Sequence, residues 1–152
     1  GAFMPAVVMR VKEASVTING EVRAQIGKGL LVLLGVAPKD TEKEAAYLAD
    51  RITGVRVFAD DLGKMNLNLA AVSGALLVVS QFTLYADLKS RRPGFTKAAK
   101  PETAAPLYEA FMAECRKRGF AVEQGEVGAD MQVASVNDGP VTLLFDTDTK
   151  TG

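Results

Sequence analysis

A run of apolar residues, Ala75-Leu76-Leu77-Val78-Val79, ends in Ser80-Gln81-Phe82-Thr83-Leu84-Tyr85-Ala86-Asp87. A buried strand that stops in hydroxyl and amide groups delivers polar atoms to a pocket. Ser80 and Thr83 are nucleophiles by type, but a hydroxyl attacks only with a base beside it. The chain contains no His. It therefore holds no Ser-His-Asp triad, no Cys-His pair and no His-built zinc site. The backbone N–H groups of this segment, with the Gln81 amide, suit another task. They can form an oxyanion hole, which needs no titratable residue. The plainer alternative is a strand end that caps a turn, and the residues alone leave both open.

Two other segments carry chemistry by type. Asn137-Asp138-Gly139-Pro140-Val141-Thr142 places Gly-Pro between two apolar stretches. A cis Gly-Pro bond would let two carbonyls point the same way and accept from an ammonium group. X-Pro bonds are cis in only about 5–6% of folded cases, so an ordinary hairpin turn competes with this reading. The segment 89–100 holds five basic residues and no acid. Lys89, Arg91, Arg92 and Lys97 could clamp a phosphate backbone, with Phe95 free to stack on a base; a solvated loop is the alternative. Other candidates are weak. Cys115 falls on the expected core face of a helix, near a C-terminus that disfavours a thiolate. Asp60-Asp61-x-Gly63 lacks the spacing and terminal Glu of a calcium loop. Gly27-x-Gly29 is too short for a phosphate fingerprint.

The totals narrow the function classes. The chain has 152 residues, 18 Lys+Arg, 18 Asp+Glu and one Cys. One Cys excludes an intrachain disulfide and a thiolate cluster. Zero net charge gives no global attraction to nucleic acid or membrane, so such a partner must be met by a local patch. Apolar runs at 30–37 and 75–80 fall far short of the ~20 residues of a membrane span. No basic region followed by a long apolar one opens the chain, so a reduced, cytoplasmic setting is expected. Gly1-Ala2-Phe3 is read as a cloning remnant before Met4, residues 4–146 as a single domain, and 147–152 as a polar, frayed tail.

The elements that must position these residues follow from patterning. Residues 6–18 and 21–26 read as strands joined by Asn19-Gly20, the strongest short hairpin signal. Residues 30–36 are apolar on both faces and read as a central strand. Thr41-x-x-Glu44 is a capping box, with Asp40 as a competing cap, and opens a helix carrying Ala45, Leu48, Ile52 and Val55. Residues 55–58 read as a short strand and 75–84 as a second buried strand. A second helix runs from Pro101 or Thr103 to Arg118, with Leu107, Phe111 and Cys115 on one face and Gly119 after its end. Pro106 is compatible with it only if it starts near Thr103. Strands at 131–136 and 141–145 flank the 137–140 turn. The expected fold is α+β: a mainly antiparallel, barrel-like sheet with two helices on it.

Ser80-Gln81-Phe82-Thr83-Leu84 together with Asn137-Asp138-Gly139-Pro140-Val141-Thr142 resembles the two signature motifs of the D-aminoacyl-tRNA deacylases. The likeness extends from Met4 to Phe145 and includes Arg10-Val11, residues 29–36, Gly63-Lys64-Met65-Asn66 and Arg92-Pro93-x-Phe95. It departs at Met9, where the family usually has Gln, and at Pro5. The resemblance implies hydrolysis of the ester joining a D-amino acid, or glycine, to the terminal adenosine of tRNA. It implies a homodimer whose cis Gly-Pro peptide reaches into the partner's pocket, and no cofactor or metal. Carried over, Ser80, Gln81, Phe82 and Thr83 form the catalytic strand end. Gly139 and Pro140 meet the α-amino group and leave no room for an L side chain. Asn137, Met131 and Arg10 complete the substrate set, Arg10 as a brace for the Gly-Pro loop. Lys89, Arg91, Arg92 and Lys97 are read as contacts to the tRNA phosphates. The family's catalysis is held to borrow the 2′-hydroxyl of the terminal ribose, with a covalent Thr83 as the older rival. An editing domain like that of some archaeal threonyl-tRNA synthetases and a non-catalytic nucleic-acid-binding module are the competing readings.

Overall fold

The computed structural model describes residues 4–147. The expectation for residues 1–3, and that for the tail beyond 147, lie outside the described residues. Thr147 itself belongs to the fold: it is buried, and its hydroxyl accepts from the Met4 N–H at 3.0 Å.

The long first strand organises the sheet. β1 (Ala6–Ile18) turns at Asn19-Gly20 into β2 (Glu21–Ile26), both turn residues having positive φ (51° and 78°), as a tight hairpin requires. β3 (Gly29–Leu34) pairs with the first half of β1, while β2 pairs with its second half. Along its other edge β1 pairs with β8 (Gln132–Phe145). β6 (Ala75–Ser80) lies parallel to β3, and β7 (Val122–Gln124) lies parallel to β6. Parallel neighbours need crossovers, and the helices supply them. α1 (Glu42–Gly54) follows β3 and α2 (Pro101–Lys117) follows β6. A small separate hairpin, β4 (Phe58–Ala59) with β5 (Met65–Leu67), completes the set. The sheet is thus antiparallel around β1 and parallel where it carries the polar strand end. The α+β architecture matches the sequence reading.

The central strands are apolar on both faces because two cores meet there. Leu30, Val32, Leu34, Leu76 and Val78 pack toward α1 and α2. Leu31, Leu77 and Val79 pack toward Val11, Val16, Ala24 and Ile26, where β1 and β2 curl over the sheet. β3 and β6 approach so closely that a Cβ on Gly29 would fall 1.9 Å from the Ala75 carbonyl oxygen. Only glycine fits there. The capping box at Thr41 and Glu44 is formed, a feature that stabilises a helix by about 1 kcal/mol. Asp40 does not compete for the cap; its carboxylate accepts from the Ala37 N–H at 2.7 Å.

Four expectations change. The strand over 75–84 stops at Ser80, and residues Phe82–Tyr85 form a 3-10 turn. Residues 55–57 precede rather than form β4. Pro106 sits inside α2, which begins at Pro101 rather than near Thr103. The hydrogen bond it forfeits falls on the exposed face of Glu102 and Pro106. Residues 137–140 are no hairpin turn: β8 runs on through them as one strand along β1. No described helix is long and apolar enough to cross a membrane.

Candidate active site

The end of β6 is held by the end of β3. Leu34 and Ser80 are register partners, and the Gln81 N–H donates to the Leu34 carbonyl at 2.8 Å. The chain then enters the 3-10 turn, with Leu84 N–H donating to Gln81 O at 3.2 Å and Ala86 N–H to Thr83 O at 3.1 Å. The first N–H groups of any helical turn lack internal acceptors. Those of Phe82 and Thr83 donate to no acceptor among the described residues. Gln81 has no side-chain capping bond to them. Two free donors in succession at a strand end suit a developing oxyanion.

The Thr83 hydroxyl accepts from Gln81 Nε2, and both residues lie open to solvent or half-buried. No carboxylate, amine or thiol among the described residues is hydrogen-bonded to Thr83 or Ser80. Cys115 is buried in the core, and burial pushes its thiol up to about 12. It is packing, as the helix pattern implied.

Ser80 and Phe82 open onto a cleft of about 390 Å³. Phe82 and Phe95 form one wall, edge to face with ring centroids 5.1 Å apart. The first turn of α2 and Tyr108 form the other. Phe95 belongs to the basic loop, which is folded back by a pair of backbone hydrogen bonds between Asp87 and Gly94, 2.7 and 3.0 Å. Lys89, Arg91, Arg92 and Lys97 are all exposed. None of them has a carboxylate partner among the described residues. The loop therefore presents its charge outward beside the mouth of the cleft.

Gly139 and Pro140 form a second cluster. β1 and β8 pair at Met9–Thr142 and again at Val11–Asn137. Opposite the single residue Arg10, residues 138–141 must therefore bulge outward. The Gly139–Pro140 peptide is cis. Arg10 clamps the bulge: Nε donates to the Asp138 carbonyl at 2.8 Å and Nη1 to the Val57 carbonyl at 2.6 Å. Asn137 braces it from within, Oδ1 accepting from Val141 N–H at 2.7 Å and Nδ2 donating to Thr142 Oγ1 at 2.9 Å. Gly139 and Pro140 themselves are exposed.

The two clusters stand apart. Among the described residues no hydrogen bond, ion pair or shared cavity lining joins residues 137–140 to residues 80–83. Met131 joins neither directly. It packs on the second core over Gly125, where a Cβ would meet its sulfur at 2.6 Å. Gly125 in turn lines a small second cavity with Ser80 and Tyr108, two residues that also line the cleft. Tyr108 is the residue that sequence reasoning missed. An aromatic one place from Leu107 on a helix reads as core filler, and its partner lies 74 positions away.

The chain is similar to known proteins over nearly its whole length. A family model described as D-Tyr-tRNA(Tyr) deacylase matches residues 7–146. A D-aminoacyl-tRNA deacylase of Thermus aquaticus is 57% identical over 150 residues, covering 98% of this chain and 99% of its own. One from Roseiflexus castenholzii is 58% identical over 144 residues, covering 94% and 92%. Among solved structures, a c-Myc DNA Unwinding Element Binding Protein superposes with a TM-score of 0.87 at 42% identity, over 93% of this chain and 97% of its own. A probable eukaryotic D-amino acid tRNA deacylase superposes at 0.82 over 95% and 99%; at 15% identity it speaks for the fold alone.

Proposed function

The chain belongs to the D-Tyr-tRNA(Tyr) deacylase family, and from that membership we propose how its two exposed clusters divide the work of hydrolysing a D-aminoacyl-tRNA. The protein is an ester hydrolase, a D-aminoacyl-tRNA deacylase. Water adds to the ester carbonyl carbon. The bond to the ribose oxygen breaks, and that oxygen leaves with a proton as free tRNA. In the tetrahedral intermediate the former carbonyl oxygen carries the charge, and the Phe82 and Thr83 N–H groups are the donors that face it. Ser80 and Gln81 hold the adenosine end. The family resemblance implies that the 2′-hydroxyl of the terminal ribose assists the water, which agrees with the lack, among the described residues, of a base hydrogen-bonded to Ser80 or Thr83. Thr83 acts through its backbone and not as a nucleophile, since no base among the described residues is hydrogen-bonded to its hydroxyl.

Chirality is set by the second cluster. Gly139 and Pro140 present carbonyls to the α-amino group and occupy the space an L side chain needs, while glycine, including glycine mischarged on tRNA-Ala, still enters. The observation that carries this reading is the separation of the two clusters. Each is exposed, and neither is complete on its own chain. A homodimer in which the bulge of one subunit caps the cleft of the other joins them. The unpaired cations of residues 89–97 then meet the phosphates of the acceptor stem. The setting is the cytoplasm, where aminoacyl-tRNA is made.

Purified protein should deacylate D-Tyr-tRNA and spare L-Tyr-tRNA by at least about a hundred-fold, an energy difference of roughly 2.7 kcal/mol. Equal rates on both would overturn the chiral assignment. A tRNA ending in 2′-deoxyadenosine should be bound but turned over slowly; full turnover would remove the RNA from the mechanism. The basic loop keeps one other reading in view, a nucleic-acid-binding module without catalysis. Tight tRNA binding with no release of D-Tyr would favour it.

A further inference from the structure

We propose that Tyr108 is a positioning residue for this reaction, holding the end of β6 so that the Phe82 and Thr83 N–H groups stay aimed at the ester carbonyl. The inference rests on the reading of those groups as the oxyanion donors. Tyr108 lies in the second turn of α2 and is 4% exposed. Its hydroxyl donates to the Leu34 carbonyl at 2.8 Å. That same carbonyl accepts from the Gln81 N–H at 2.8 Å. Leu34 O thus uses both lone pairs, one on the last N–H before the catalytic turn and one on α2.

A purely apolar role does not account for the hydroxyl. Phe would fill the same volume, and a buried hydroxyl destabilises the fold unless it is paired. Here it is paired at the one junction where β3, β6 and α2 meet the 3-10 turn. Burial raises the Tyr108 hydroxyl to about 12, so it remains a donor throughout the working range. Tyr108 completes the arrangement by lining, with Ser80, both the cleft and the small second cavity. The hydroxyl is committed to Leu34 and does not reach substrate. It acts through the backbone, and small displacements of oxyanion donors are costly.

The test is Tyr108→Phe in the full chain, assayed on D-Tyr-tRNA and L-Tyr-tRNA. Expected is a fall in kcat of about ten-fold, with KM within about two-fold, because the lost interaction acts on the transition state and not on tRNA binding. The D-over-L ratio should not change. Ile52→Val, a core change on α1 at a residue that does not line the cleft, provides a destabilised control that should keep its kcat. An unchanged kcat in Tyr108→Phe, or an equal fall in both variants, would overturn the proposal. So would a raised KM at constant kcat, which would make Tyr108 a binding residue. A second measurement needs no variant. In the unsubstituted protein the Gln81 amide should exchange only as slowly as the core strands do, and rapid exchange would show that the strand end is not held. Absence of deacylation by the unsubstituted protein would instead remove the underlying reading.

Discussion

Gly139 stands at φ +136°, and a Cβ added there would lie 2.9 Å from Arg10 Nη2 and 2.9 Å from Val141 Cγ2. Either the alanine methyl displaces the guanidinium or the backbone rotates. Both shift the peptide proposed to select the substrate. Strain at such positions amounts to about 1–3 kcal/mol, so Gly139→Ala should slow D-Tyr-tRNA hydrolysis by roughly ten- to a hundred-fold. The fold should survive, because residues 138–141 bulge clear of both cores. Steady-state rates with a circular dichroism control check this, and an unimpaired variant would remove the bulge from the site. The sequence reveals this residue scale unevenly. Arg10 is legible as a brace because the motif resemblance places it near Gly139. Its second partner, the Val57 carbonyl, lies 47 positions away and leaves no local pattern. The Tyr108 bond to Leu34 is hidden for the same reason: helical spacing reports which face is buried, not what a hydroxyl finds there.

Among the elements, the ones with strong local chemistry are legible and the ones decided by neighbours are not. Asn19-Gly20 dictates a hairpin whatever surrounds it, and Thr41 with Glu44 dictates a helix start. The end of β6 is different. Residues 75–84 are apolar enough for one long strand, but β3 ends at Leu34, opposite Ser80, and the ladder stops with it. β8 shows the reverse error. Asn137-Asp138-Gly139-Pro140 has the composition of a turn, yet the 13 residues of β1 offer a template on both sides of it, so the excess residues bulge instead. β5 and β7, three residues each, are too short to show a period. The basic loop was legible from composition alone, and its geometry supports a specific prediction. Its cations have no carboxylate partner among the described residues, so Arg91→Ala with Arg92→Ala should cost none of the ion pairs seen there. The double variant should raise KM for tRNA several-fold with kcat nearly kept, and flatten the dependence of log affinity on log salt by about 1–2 units. Titration of tRNA binding from low to moderate salt checks it. An unchanged slope would place the acceptor stem elsewhere.

At the scale of the whole molecule, β8 is the anomaly. It pairs with β1 yet leaves Val133, Val136 and Leu144 exposed by 41%, 45% and 82%. An edge strand with bare apolar side chains is a surface that associates. Its bulge carries Gly139 and Pro140, while the cleft lies at the other end of the parallel strands. In the proposed homodimer a two-fold partner would bring one chain's bulge to the other's cleft and would cover the apolar edge at once. The proposed arrangement agrees with the absence of His. A site assembled from backbone donors of one chain and backbone carbonyls of another needs no imidazole in either. Mixing two impaired variants separates this arrangement from a site built within one chain. Gln81→Ala damages only the cleft, and Gly139→Ala only the bulge. If sites form across the interface, a mixed dimer has one doubly damaged site and one intact one. Exchange between equal amounts of the two variants puts half the molecules in mixed dimers. About a quarter of the sites should then recover full activity. If cleft and bulge serve their own chain, every site in the mixture carries one lesion. Activity then stays at the average of the two variants, however long the subunits exchange.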